Sequence, residues 1–177
     1  MKYWLFALIA SAFFLKAAAQ KTIRPYITGY GDVFEVSAAK EVVSKKSKYK
    51  ILIDIVSPGA NAKEISEHFE NIARIANLHV AAGVKPENLS VMAVVHGAAV
   101  SFILNNETYK QKFGVDNPNQ PLFTALKAAG IPLYVCGQTL FKRKVDPSTL
   151  APEFEIVQSA VTTITTYAPQ GYTVLKY

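Results

Sequence analysis

Residues 49–56 read YKILIDIV, a nearly continuous apolar run closed by Ser57-Pro58-Gly59. A strand with one wet face would alternate. A run apolar at almost every position suits a strand buried on both faces, as in parallel sheets. Two more runs read the same way. Leu89–Val95, LSVMAVV, closes on His96-Gly97. Ile131–Leu140, IPLYVCGQTL, begins as a strand and breaks at Cys136-Gly137.

Helical spacing separates these runs. From Asn61 to Ala82, Ile65, Phe69, Ile72 and Ala76 share one face, Glu70 and Arg74 pair at i,i+4, and Asn61 with Glu64 matches a capping box. Ala98–Asn105 reads as a short helix and 106–114 as polar and irregular. Leu122–Ala129 reads as a helix capped by Asn119, with Pro121 in its first turn. Residues 141–152 read as a loop, Phe154–Tyr167 as a helix and Tyr172–Tyr177 as a last strand. Val33–Val36 reads as a short edge strand. Strands alternating with helices predict an α/β fold: a mainly parallel sheet of about five strands, helices on both faces and right-handed crossovers.

The ends of the chain read differently. Lys2, an apolar run from Leu5 to Leu15 and the small residues Ala17-Ala18-Ala19 form the pattern of a cleaved signal peptide, residues 1–19. The run is shorter than the roughly 20 residues of a spanning helix. A periplasmic or secreted protein is expected, with no membrane attachment after cleavage. Residues 20–47 are weakly patterned and read as an arm. Residues 48–177 suit one domain.

Charge and cysteine content narrow the function. The formal charge is +6, falling to +4 without Lys2 and Lys16. Lys40, Lys45, Lys46, Lys48 and Lys50 supply much of the excess, in a segment with few aromatics. That is a solvated face, and no nucleic-acid partner is expected. The three histidines and one cysteine lack metal-ligand spacing, so neither metal nor cofactor is expected. Cys136 is the only cysteine, which excludes an intramolecular disulfide.

Parallel strands place their carboxyl ends at one edge, where open α/β sheets bind ligands. His96-Gly97 and Cys136-Gly137 therefore meet there. Each glycine lets the chain turn and a ligand approach. An imidazole and nearby amides both favour a thiolate. In the functional reading His96 tunes Cys136, amides near Gly97 and Gly137 cradle an anion, and Gln138 and Asn119 line the pocket. In the structural reading Cys136 packs as a small hydrophobe. Spacing alone leaves both open. Asp54, inside the first run, is either an acid near the site or a hydrogen-bonded structural carboxylate.

Four stretches carry a resemblance: Val94-Val95-His96-Gly97-Ala98-Ala99, Asn117-Pro118-Asn119, Val135-Cys136-Gly137-Gln138, and Ser159-Ala160-Val161-Thr162 with Gly171-Tyr172. Together they resemble the DsrE/DsrF-like family, of the YchN-like fold, in its exported, single-cysteine branch. The resemblance implies a three-layer α/β/α domain and homo-oligomers, commonly trimers or hexamers. Its relay members carry sulfur as a cysteine persulfide and pass it between proteins, which implies a donor or acceptor partner and marks Cys136 as the carrier. Any activity expected is then sulfur transfer. The alternative is a non-catalytic oligomeric module binding a small ligand or partner.

Overall fold

The computed structural model describes residues 21–40 and 42–177; the expected signal segment lies outside them. Seven strands and five α-helices are present in this span, with short 3-10 turns between them. Strands β3 (Tyr49–Ile55), β4 (Leu89–Val95), β5 (Leu133–Cys136), β6 (Phe154–Val157) and β7 (Thr173–Lys176) form one sheet in the order β6-β5-β4-β3-β7. Every neighbouring pair is parallel.

The apolar runs explain why. Ile51, Ile53 and Ile55 of β3, Val91, Ala93 and Val95 of β4, and Leu133 and Val135 of β5 face one side. There they pack against Phe69, Ile72 and Ala76 of α1 (Glu67–Ala81) and Leu122, Phe123 and Leu126 of α3 (Gln120–Ala128). The alternate residues Leu52, Met92, Val94 and Cys136 face the other side and meet Ala160 of α5 (Ala160–Tyr167). The result is a three-layer α/β/α domain with one thick layer and one thin one. Among the described residues no helix is long and apolar enough to cross a membrane.

Several local readings change. The fifth strand of the sheet is β6, inside the stretch read as one helix from Phe154. Its Glu155 and Ile156 are exposed, so this edge strand lacks the apolar run of its neighbours. Val33–Phe34 (β2) instead pairs antiparallel with Thr22–Ile23 (β1), apart from the main sheet. The expected irregular stretch contains α2 (Asn106–Phe113), capped by Asn105, whose Oδ1 accepts from Thr108 N at 2.9 Å. Only Tyr109 of α2 is buried, which is why apolar periodicity is missing. Burial pushes its phenol up to about 12, and its hydroxyl donates to Ala62 O at 2.8 Å. Helix α4 (Gly137–Arg143) occupies the start of the expected 141–152 loop.

Helix α1 starts at Glu67, not near Asn61. The Asn61 side chain is used in a local turn, accepting from Lys63 N at 2.9 Å. Ile65 lies before the helix and is exposed.

The arm is fastened through one buried amide. Asn77 Oδ1 accepts from Tyr26 N (3.0 Å) and Ile27 N (2.7 Å), and its Nδ2 donates to Tyr30 O (2.8 Å) and Gly31 O (2.9 Å). Gly31, at φ +68, lies against α1; a Cβ there would stand 2.3 Å from Arg74 N.

Candidate functional site

Three side chains on the thin side of the sheet define the carboxyl edge: Asp54, His96 and Cys136. Strand alternation puts Asp54 on the same face as Leu52, and Cys136 on the same face as Tyr134. His96 follows β4; its N–H donates to Ile55 O at 2.9 Å, extending the ladder by one bond. Gly97 then turns the chain at φ +62, into a 3-10 turn over Gly97–Phe102. A Cβ at Gly97 would approach Val56 Cγ1 to 3.0 Å. Only glycine combines that φ with that proximity at low cost.

The His96 ring is committed to β3. Its Nε2 lies 2.8 Å from Asp54 Oδ1. A carboxylate only accepts, so Nε2–H donates and Nδ1 is the basic nitrogen. The Asp54 side chain is nearly buried and the ring about a quarter exposed. Asp54 is thus the orienting group for His96. It pairs in register with Val94, two residues before His96, so the bond runs diagonally between neighbouring strands.

Cys136 sits on the opposite side of β4, at the end of β5 and the start of α4. It is 4% exposed. Burial pushes the thiol up, but the nearby hydroxyl and amide of Thr139 and the amides of Ala160 and Gln138 outweigh it, although the Cys136 side chain makes no capping hydrogen bond to α4. The pKa settles below the ordinary 9.0. The His96 imidazole, which the functional reading of the sequence gave that role, is not among the groups that lower it.

Thr139 links the two halves of the edge. Its Oγ1 accepts from Gly97 N at 3.4 Å, and its hydroxyl is the chief group that lowers the Cys136 pKa against burial. Cys136 is the N-cap residue of α4 and Thr139 its N3 residue. Cys136-Gly137-Gln138-Thr139 is not a capping box, so no local pattern marks Thr139 in the sequence.

A pocket of about 380 Å³ opens here, lined by His96, Gly97, Gln138, Thr139, Lys142 and Arg143. Gln138 and Gly97 both border it. Gly137 faces elsewhere: a Cβ there would lie 3.0 Å from Val157 O, and it borders an apolar cavity with Leu140, Phe141 and Ile156. Asn119 does not line the pocket. It is fully buried; its Oδ1 accepts from Ser66 N at 2.7 Å and its Nδ2 donates to Asn117 Oδ1 at 3.0 Å. Asn117 in turn donates to Phe102 O and Leu104 O. The Asn117-Pro118-Asn119 stretch is a structural knot holding the start of α1. Among the described residues no cluster of three or more His, Cys, Asp or Glu side chains could hold a metal ion.

Comparison with known proteins decides the family. The family model described as the DsrE/DsrF-like family matches residues 50–177. The chain belongs to the DsrE/DsrF-like family. Two solved structures are similar to it in fold. One is the protein of unknown function MTH1491 from Methanobacterium thermoautotrophicum, with TM-score 0.55 and 16% identity over 73% of this chain and 100% of that one. The other is the ychN protein from E. coli, with TM-score 0.51 and 17% identity over 72% of this chain and 99% of that one. No curated protein matches. The five-stranded parallel sheet of this DsrE/DsrF-like chain is the fold of both neighbours. Asp54, His96, Cys136 and Thr139 all lie within the matched residues.

Proposed function

We propose that this chain is an exported sulfur carrier that holds one sulfur atom as a persulfide on Cys136. The observation that carries the reading is the position of the single cysteine, at the carboxyl end of β5 and the start of α4, beside polar groups that lower its pKa despite burial. A sulfur given only apolar neighbours would be a poor nucleophile; here those groups favour the thiolate. In the reaction, the Cys136 thiolate attacks the terminal sulfur of a donor persulfide. One S–S bond forms at Cys136, the donor's S–S bond breaks, and the donor leaves as its thiolate. No net oxidant is needed.

His96 sits beside the approach rather than on the sulfur. In this reading it takes up or returns the proton of the incoming or outgoing thiol through Nδ1, while Asp54 fixes the ring. The partners are a sulfur donor or acceptor and further copies of this chain. Support for self-association comes from Phe141, 88% exposed, and Ile156, 50% exposed. Both border the apolar cavity of about 500 Å³ beside α4. The compartment is periplasmic or extracellular, on the strength of the amino-terminal pattern.

A second reading has its own support. Cys136 is 4% exposed and packs with Leu52, Met92, Val94 and Ala160, as a structural cysteine would in an oligomeric binding module. Sulfane sulfur released by cyanide separates the two. After exposure to a small alkyl persulfide and desalting, the carrier releases one equivalent and Cys136→Ser none. A wild-type protein that releases none is a binding module.

A further inference from the structure

The arm leaves large apolar side chains in solvent. Alternation on β2 turns Val33 inward and Phe34 outward. Phe34 and Val36 are 55% and 59% exposed, and Leu78, in the last turn of α1, is 47% exposed. They border an open groove of about 500 Å³ between the arm and α1, which Ile23, Ala81 and Ala82 also line. Helix α1 runs back from the carboxyl edge, so its last turn and this groove lie at the amino edge, away from His96 and Cys136. Exposed apolar side chains gathered in one place mark a contact surface.

Charge says what that surface meets. Glu35 is the one charged residue lining the groove, and it is paired with Lys21 at 3.4 Å. The rim is basic. Lys40 follows Ala39, which lines the groove. Lys45 lies over Gly83, one residue beyond Ala82; its Cε is 2.9 Å from where a Cβ would stand. Lys46 and Lys48 are exposed in the same loop. Among the described residues none of these four lysines is ion-paired. A second copy docked here about a two-fold axis would set one lysine rim against another. An apolar centre ringed by lysines matches instead the boundary between anionic headgroups and acyl chains. The chain also enters the fold at this face: Lys21 pairs with Glu35, and the apolar run 5–15 lies just before it.

We propose that the arm face is a peripheral docking surface for anionic phospholipid. Phe34, Val36 and Leu78 enter the headgroup–acyl boundary, and Lys40, Lys45, Lys46 and Lys48 meet lipid phosphates. The chain thereby keeps a reversible membrane contact after residues 1–19 are removed, where the sequence led us to expect none. The same contact turns the carboxyl edge away from the bilayer, toward soluble partners.

The chain from Gln20 onward keeps every described element and lacks the apolar run, so binding it shows belongs to the folded face. It is sedimented with vesicles of phosphatidylcholine alone and of phosphatidylcholine mixed with phosphatidylglycerol. Binding to the mixed vesicles at low salt is expected, lost as salt rises and far weaker on phosphatidylcholine alone. Phe34→Ser is expected to weaken it by about tenfold, and Lys45→Gln with Lys46→Gln together by about tenfold. Lys112→Gln, on α2 beyond the carboxyl edge, is expected to leave it unaltered. Urea midpoints confirm that the variants fold; should Phe34→Ser lower its midpoint, Val36→Ser is read in its place. No sedimentation with the mixed vesicles overturns the proposal, and a solution dimer dissolved by Phe34→Ser would then assign the groove to a second copy. Equal binding to both vesicle types, a loss in Lys112→Gln matching that of the lysine pair, or no effect of the apolar substitution also overturns it.

Discussion

His96 Nε2 is bonded to Asp54 Oδ1 at 2.8 Å, so the imidazole leans from the end of β4 toward β3, while Cys136 lies on the other side of β4, at the end of β5. The thiol must therefore draw its activation from other groups. They are Thr139 and three backbone amides. In the proposed carrier reading this division separates two tasks at one edge: stabilising a thiolate, and handling a proton nearby.

Removing the Asp54 carboxylate should loosen the ring and leave a nearly buried site without its charged partner. Asp54→Asn is expected to lower stability by about 1–3 kcal/mol, read from the urea midpoint. An unchanged midpoint would mean that the pair contributes nothing to the fold.

Thr139→Val keeps the shape and deletes the hydroxyl. The Cys136 pKa should rise, and alkylation at neutral pH should slow by about threefold to tenfold relative to wild type. The pH–rate profile distinguishes this from a change in access, which would scale the rate at every pH without moving the midpoint.

The lowered thiol pKa has a sign in stability. The unfolded chain binds more protons at Cys136 between the lowered folded value and the ordinary 9.0. The stabilisation is thus fully present above the unfolded value and is lost as pH falls through the folded one. Wild type should gain on Cys136→Ala as pH rises from neutral toward that value, measured as paired urea melts. A difference that shrinks over that interval contradicts the donor assignment.

Asn77→Ala removes five hydrogen bonds between α1 and the arm. A loss of about 2–4 kcal/mol is expected, with faster amide exchange at residues 26–31 than in the central strands. Uniform exchange changes would show that the arm and the domain open together.

Phe141→Asp should shift any oligomer toward smaller species if the apolar cavity beside α4 is the contact between copies. Analytical ultracentrifugation reads this directly. An unaltered distribution would place the contact elsewhere.

The sequence made the sheet legible because three runs, at 49–56, 89–95 and 131–136, are apolar at nearly every position, and only burial on both faces demands that. It also placed His96 and Cys136 at one edge, since parallel strands share their carboxyl ends. What it could not supply was lateral order. Whether His96 turns toward Asp54 or Cys136 depends on which strands flank β4 and on a diagonal register, and neither leaves a local pattern. Elements β6 and α2 escaped for a related reason. Each has one buried residue, Phe154 and Tyr109, so neither has a periodicity to read. Asn119 misled in the opposite sense: a residue type common in pockets is here a fully buried bridge between α1 and α3.

Sulfur carriage itself is most directly tested by intact mass. Native protein lacking residues 1–19 is treated with a small alkyl persulfide, freed of reagent and weighed without reduction. A gain of one sulfur atom on Cys136, absent from Cys136→Ser and removed by thiol reductant, is the result expected. No gain, together with a Cys136 thiol that alkylates only after unfolding, would contradict the account.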